Sequence, residues 1–279
     1  MRPRSFLAVT VAILVAACGD SGRAATTAPA TQAGTQAPAM AARVELMILG
    51  AASLKGALDK VKRAYEAANP GTTLTISTDS SSALETKIEQ GAPADVFLSA
   101  DITNPQKLID GGFATGSIVV FATNELTIIV PKDNPAGITS PKGLARPGVD
   151  IIAAGDGVPI TRYAAKLVAN LAAQPGYPAT FVADYAANVV SKEENVKAIV
   201  GKIELGQGDA GIVYVTDAAA STKVATVDVP DAANVPATYG GVVATASTHA
   251  TEAQAFLTWL AGAQGQAILA AFGFLPPPA

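Results

Sequence analysis

The sequence predicts an α/β protein with mainly parallel sheets, folded as two lobes. Short apolar runs alternate with stretches whose apolar residues recur at helical spacing. Breaks between them carry Gly, Pro and Asn, as at Asn69-Pro70-Gly71. The chain has 279 residues, and the part that reads this way is more than one comfortable sheet holds.

The first run is Val44 to Leu49, ended by Gly50. Leu54, Leu58, Val61 and Tyr65 then mark one face of a helix. Thr73–Ile76 alternates as a strand, Leu84 and Ile88 give a short helix ended by Gly91, and Asp95–Leu98 is the next strand. Further strands are expected at 126–130, 149–155, 210–215 and 242–245, with helices at 161–172 and 193–205. A final helix is expected from Glu252 to Phe272, and no internal sequence repeat is visible.

Ahead of this body stands "MRPRSFLAVTVAILVAACGDSG". Arg2 and Arg4 precede an apolar run, Phe6–Ala17, that is short of the ~20 residues a membrane span needs, so residues 1–17 read as a secretory signal. Val15-Ala16-Ala17-Cys18 looks like a bacterial lipobox, which implies cleavage before Cys18 and lipidation of its sulfur. The alternative is a plain signal peptide with an incidental cysteine. Residues 18–42, rich in Ala, Thr, Pro and Gln, read as a flexible tether. The expected location is extracytoplasmic, anchored to the membrane through Cys18. No internal disulfide is possible with one cysteine.

With 49% hydrophobic and 15% charged residues the composition is globular, and a net charge of −4 offers no basic footprint for nucleic acid. No G-x-S-x-G, Walker A, H-E-x-x-H or C-x-x-C motif is present. The only histidine, His249, lies in a polar run and reads as a surface or capping residue. Asp95 is expected to satisfy backbone donors at the start of its strand. An enzyme is therefore not expected, although a serine-dependent one on an anionic substrate is kept as the alternative.

What stands out is serine where strand hands over to helix: Ser53 ahead of Leu54, and Ser80, Ser81 and Ser82 ahead of Leu84. Such loops lie at the carboxyl edge of an α/β sheet, and a helix N-terminus presents unpaired N–H groups to anions. Ser53 reads as an N-cap. Ser82-Ala83-Leu84-Glu85 reads as a capping box, which leaves Ser80 and Ser81 in excess. Caps alone would account for most of this pattern; a ligand would account for the excess. Glu193 and Glu194 suit a helix first turn and should face solvent. Tyr214 near a strand's end is either core or a buried hydroxyl needing a partner.

Together, "AASL" (51–54), "SSSALETKIEQGAPADVFLSAD" (80–101), "AAGDGVP" (153–159), "ENVKAIV" (194–200) and "GDAGIVYVTDA" (208–218) resemble the substrate-binding proteins of bacterial molybdate ABC transporters. The resemblance covers roughly Val44 to Phe274. It implies a two-lobed periplasmic-binding-protein fold (type II), with two parallel-rich sheets joined by two crossover strands. The lobes would be 43–122 plus 241–279, and 123–240, with hinges near Phe121–Leu126 and Tyr239–Val242. It also implies roles: hydroxyl and N–H donors from Ser53 and Ser81, backbone N–H donors from Ala153 and Val196, and the phenol of Tyr214. The ligand would be molybdate or tungstate, with no direct protein–metal bond and no other cofactor. The partner would be an ABC permease, and the protein a monomer. Sulfate, phosphate or another small oxyanion is the alternative within the class. Arg162 is read as a solvent-facing helix residue.

Overall fold

The structure, a computed structural model, describes residues 43–278. The expected signal segment, Cys18 and the tether lie outside the described residues. The chain runs β1 (Val44–Ala51), a 3₁₀ turn (Ala52–Leu54), α1 (Lys55–Ala68), β2 (Thr72–Asp79), α2 (Ser81–Glu89), β3 (Val96–Ser99), α3 (Thr103–Asp110) and β4 (Ala114–Asn124). It continues with β5 (Leu126–Pro131), β6 (Ile151–Ala154), α4 (Pro159–Ala172), α5 (Phe181–Ala187), β7 (Val189–Glu193), α6 (Val196–Glu204), β8 (Ala210–Tyr214), α7 (Val215–Ala219) and β9 (Val224–Val227). It closes with β10 (Ala237–Ala244), α8 (Ala250–Ala261) and α9 (Ala263–Ala271).

These strands form two five-stranded sheets, ordered β2-β1-β3-β10-β4 and β7-β6-β8-β5-β9. In each, the first three strands pair in parallel and the last two join antiparallel. The protein is thus two α/β lobes with mixed sheets. The antiparallel strands are those that carry the chain between lobes. Only Glu125 separates β4 of the first sheet from β5 of the second, and the chain returns from β9 to β10.

Alternation along β1 explains the layering. Leu46 and Ile48 face α1, whose Leu58, Val61 and Tyr65 are buried with them, while Leu49 joins Leu84, Ile88, Phe97 and Leu108 on the opposite face. Covering both faces lets these strands read as apolar runs. Gly50 permits α1 to lie close, since a Cβ there would sit 2.5 Å from Leu58 Cδ1. Gly211 does the same for α6 in the second lobe, where a Cβ would meet Ile199 at 2.6 Å.

Several expected elements shift. The helix expected from 193 begins at Val196, because Val189–Glu193 pairs beside β6 as β7 and Asn195 caps the helix that follows. The final helix is two, broken where Gly262 is extended with ψ 178°. Strands β4, β7 and β9 are not among those expected; β7 alternates between half-buried and exposed residues, whereas β4 does carry an apolar run, Ile118–Ala122.

Candidate functional site

Four helical N-termini meet in the cleft between the sheets: the 3₁₀ turn before α1, α2, α4 and α6. Each follows the carboxyl end of a strand in its sheet. Ser53, Ser80, Ser81, Ile160, Asn195 and Val196 line the small cavity there, with Tyr214 and otherwise apolar or small side chains. None of the lining residues is charged.

Caps and donors divide the work at these termini. Ser80 Oγ accepts the Ala83 N–H at 3.4 Å, and Asn195 Oδ1 accepts the Ala198 N–H at 3.1 Å. The N–H groups of Ser81, Ile160 and Val196 come earlier in their helices, where no intrahelical acceptor exists. Ser80 therefore holds the cap expected of Ser82. Ser81 Oγ accepts the Ala100 N–H at 3.0 Å, which leaves its own hydrogen for the cavity. Ser53 makes no cap either; its Oγ lies 2.9 Å from the Tyr239 hydroxyl.

Tyr214 is 1% exposed, and its hydroxyl has no hydrogen-bond partner. Burial holds its pKa well above the usual tyrosine value, reinforced by neighbouring Tyr239, Tyr163, Asp217 and Asp101, so it remains a neutral donor. Behind it lies Asp217, 1% exposed, whose carboxyl pKa is raised by burial and drawn back by Lys197. Lys197 Nζ is 2.7 Å from Asp217 Oδ1, an ion pair off the line of a hydrogen bond.

One ion pair among the described residues joins the lobes. Asp101, between β3 and α3, is buried and accepts from Ser99 Oγ at 3.0 Å and from Asn104 N at 2.9 Å. Arg162, on α4, completes its shell. Arg162 is exposed on its helix, as expected, but its guanidinium also reaches a buried carboxylate of the other lobe.

A family model for bacterial extracellular solute-binding protein matches residues 46–275. The chain belongs to that family. It is 33% identical over 271 residues to the molybdate-binding protein ModA of Mycobacterium tuberculosis, covering 97% of this chain and 95% of the relative. It is 30% identical over 234 residues to the putative ABC transporter substrate-binding lipoprotein YvgL of Bacillus subtilis, covering 83% and 86%. Among solved structures, the periplasmic molybdate-binding protein of Azotobacter vinelandii matches with a TM-score of 0.70 at 25% identity, over 84% of this chain and 100% of that one.

In this solute-binding protein Ser53, Ser81, Val196 and Tyr214 come together at one cavity, and Ala153 does not. Ala153 pairs with Lys192 in the β6–β7 ladder. Its neighbours two residues either side bond the same way, Ile151 N–H to Asn188 and Gly155 N–H to Glu193, so its N–H belongs to the sheet. It borders a separate hollow with Tyr185 and Ala164. Ile160 takes its place at the cavity; Pro159 at the first position of α4 was the available signal. Glu193 also departs from its expected place. It ends β7 rather than facing solvent from a helix, accepts Ser191 Oγ at 2.6 Å and pairs with Lys202 at 2.6 Å.

Size does not select the site. A larger hollow of about 620 Å³ at the far end of the first sheet includes Asp95, Phe113 and His249. Its one buried acid, Asp95, is already bonded to Met47 N at 2.7 Å and to Ser247 Oγ at 2.5 Å, as expected of it. His249 precedes α8 without a side-chain cap bond. No cluster of metal-ligating side chains occurs among the described residues.

Proposed function

We propose that this protein captures molybdate or tungstate outside the cytoplasm and delivers it to an ABC permease. The observation that carries the reading is the uncharged cavity built of donors: helix N-termini, two serines and the unbonded phenol of Tyr214. An unpaired dianion removed from water costs tens of kcal/mol in a low-dielectric medium, so each oxygen needs a donor. Ser53, Ser81 and Tyr214 offer hydroxyls, and Ser81, Ile160 and Val196 offer N–H groups at the positive ends of helices. With no carboxylate in the lining, a protonated oxyanion finds no strong acceptor for its proton, which favours molybdate over hydrogen phosphate. Relatives named for molybdate support the choice of ligand. The protein acts as a monomeric receptor rather than an enzyme, held near the permease by lipid on Cys18 and by its tether.

Thermal unfolding of the purified protein with molybdate, tungstate, sulfate or phosphate tests this. A ligand at 1,000 times its Kd stabilises by about 4 kcal/mol, a rise of roughly 8–16 °C in Tm for a protein of this size. Rises confined to molybdate and tungstate are expected. A larger rise with sulfate or phosphate overturns the ligand, and none with any oxyanion overturns the reading. Retention of the intact chain in membranes, lost in Cys18→Ala, tests the anchor.

A further inference from the structure

We propose that Tyr239 is a positioning residue that fixes the Ser53 hydroxyl as a donor to the ligand, and this rests on the oxyanion reading above. Ser53 and Tyr239 are 6% and 0% exposed, and their oxygens are 2.9 Å apart with either able to donate. The direction matters. If Ser53 gave its hydrogen to Tyr239, it would turn only lone pairs toward an anion.

An oxyanion in the cavity sets the direction: it accepts the one Ser53 hydrogen, so Ser53 Oγ can only accept from the phenol. The phenol stays protonated to give that hydrogen, because burial and the Asp217 charge hold its pKa well above the usual tyrosine value. Ser53 then has one hydrogen left, and it lines the cavity. Ser81 is polarised in the same manner by the Ala100 N–H. Each serine thus has a buried donor behind it.

Tyr239 lies on β10, the strand by which the chain returns to the first sheet. Its bond to Ser53 therefore ties the ligand contact to a segment connecting the lobes. Ring packing alone would not require the hydroxyl: Tyr239 lies edge-on to Phe121 at 6.2 Å, Tyr214 at 5.7 Å and Phe274 at 5.4 Å.

Calorimetric titration of molybdate into wild type, Tyr239→Phe, Ser53→Ala and the double variant tests the proposal. Tyr239→Phe is expected to weaken binding about five- to tenfold, as for a misoriented hydrogen bond to a charged group. In the Ser53→Ala background the same change should cost less than about twofold, since coupled residues are non-additive. An undiminished cost in that background overturns the proposal and leaves Tyr239 a packing residue. So does wild-type affinity in Tyr239→Phe. If Tyr239→Phe does not fold, Tyr239→Met, which also lacks the hydroxyl, replaces it in the cycle, and a loss no smaller in Ser53→Ala again overturns the proposal. Absence of molybdate binding by wild type is a separate result, which overturns the function instead.

Discussion

A buried hydroxyl left unbonded costs about 1–3 kcal/mol, and Tyr214 carries one where the lobes meet. Tyr214→Phe should therefore move stability and binding in opposite directions. Unfolding without ligand should shift upward by a few degrees, while molybdate binding weakens by about tenfold or more through loss of one donor to a dianion. Thermal unfolding and titration on one preparation measure both. A lower ligand-free Tm with unchanged affinity would mean that Tyr214 serves the core alone. Ser53, Ser81 and Tyr214 were legible because residue type and position after a strand carry their chemistry, and Val196 was named only through the family resemblance. Ile160 was not, because a backbone donor has no side-chain signature; which N–H is free depends on where β6 stops and α4 starts.

At the scale of elements, the site is the coincidence of helix starts, and the caps hold those starts in place. Asn195 both caps α6 and lines the cavity, so its two jobs separate by substitution. Asn195→Ala removes the Ala198 bond and should lower stability by about 1 kcal/mol, roughly 2–4 °C. Asn195→Asp retains a good cap and should keep Tm near wild type. Its carboxylate would face the oxyanion, however, and should weaken molybdate binding more than tenfold by like-charge repulsion. Unfolding and titration of the two variants check this; equal affinities for Ala and Asp would remove Asn195 from the site. The capping residue was readable in the sequence. The strand just before it was not, because β7 carries few buried apolar residues and its place is given by pairing with β6.

Across the whole molecule, closure is what the Arg162–Asp101 pair reports. The cavity here is about 10 Å³, near the room of one water, so the lobes must part to admit the oxyanion proposed. Parting breaks the pair, while Asp101 keeps its bonds to Ser99 and Asn104. The Arg162 side chain is 42% exposed, so solvent screening limits its contribution. Arg162→Met should accordingly speed molybdate release several-fold and leave the molybdate-to-sulfate preference unchanged, because the pair touches no ligand. Displacement kinetics and competition titrations give the two quantities. An unaltered release rate would show the pair irrelevant to closure, and a changed preference would place Arg162 in the site.

The sequence by itself determined the α/β class, most of the strand–helix alternation and the donor chemistry of the serines and Tyr214. Those follow from local apolar spacing and side-chain type. Only the tertiary structure decided which helix starts share one cavity, that Ile160 rather than Ala153 reaches it, and that Tyr239, 186 residues from Ser53, stands behind that serine. It likewise decided that Arg162 meets a buried acid. These depend on strand order and on closure, which bring together residues far apart in the chain, and no local pattern encodes that distance.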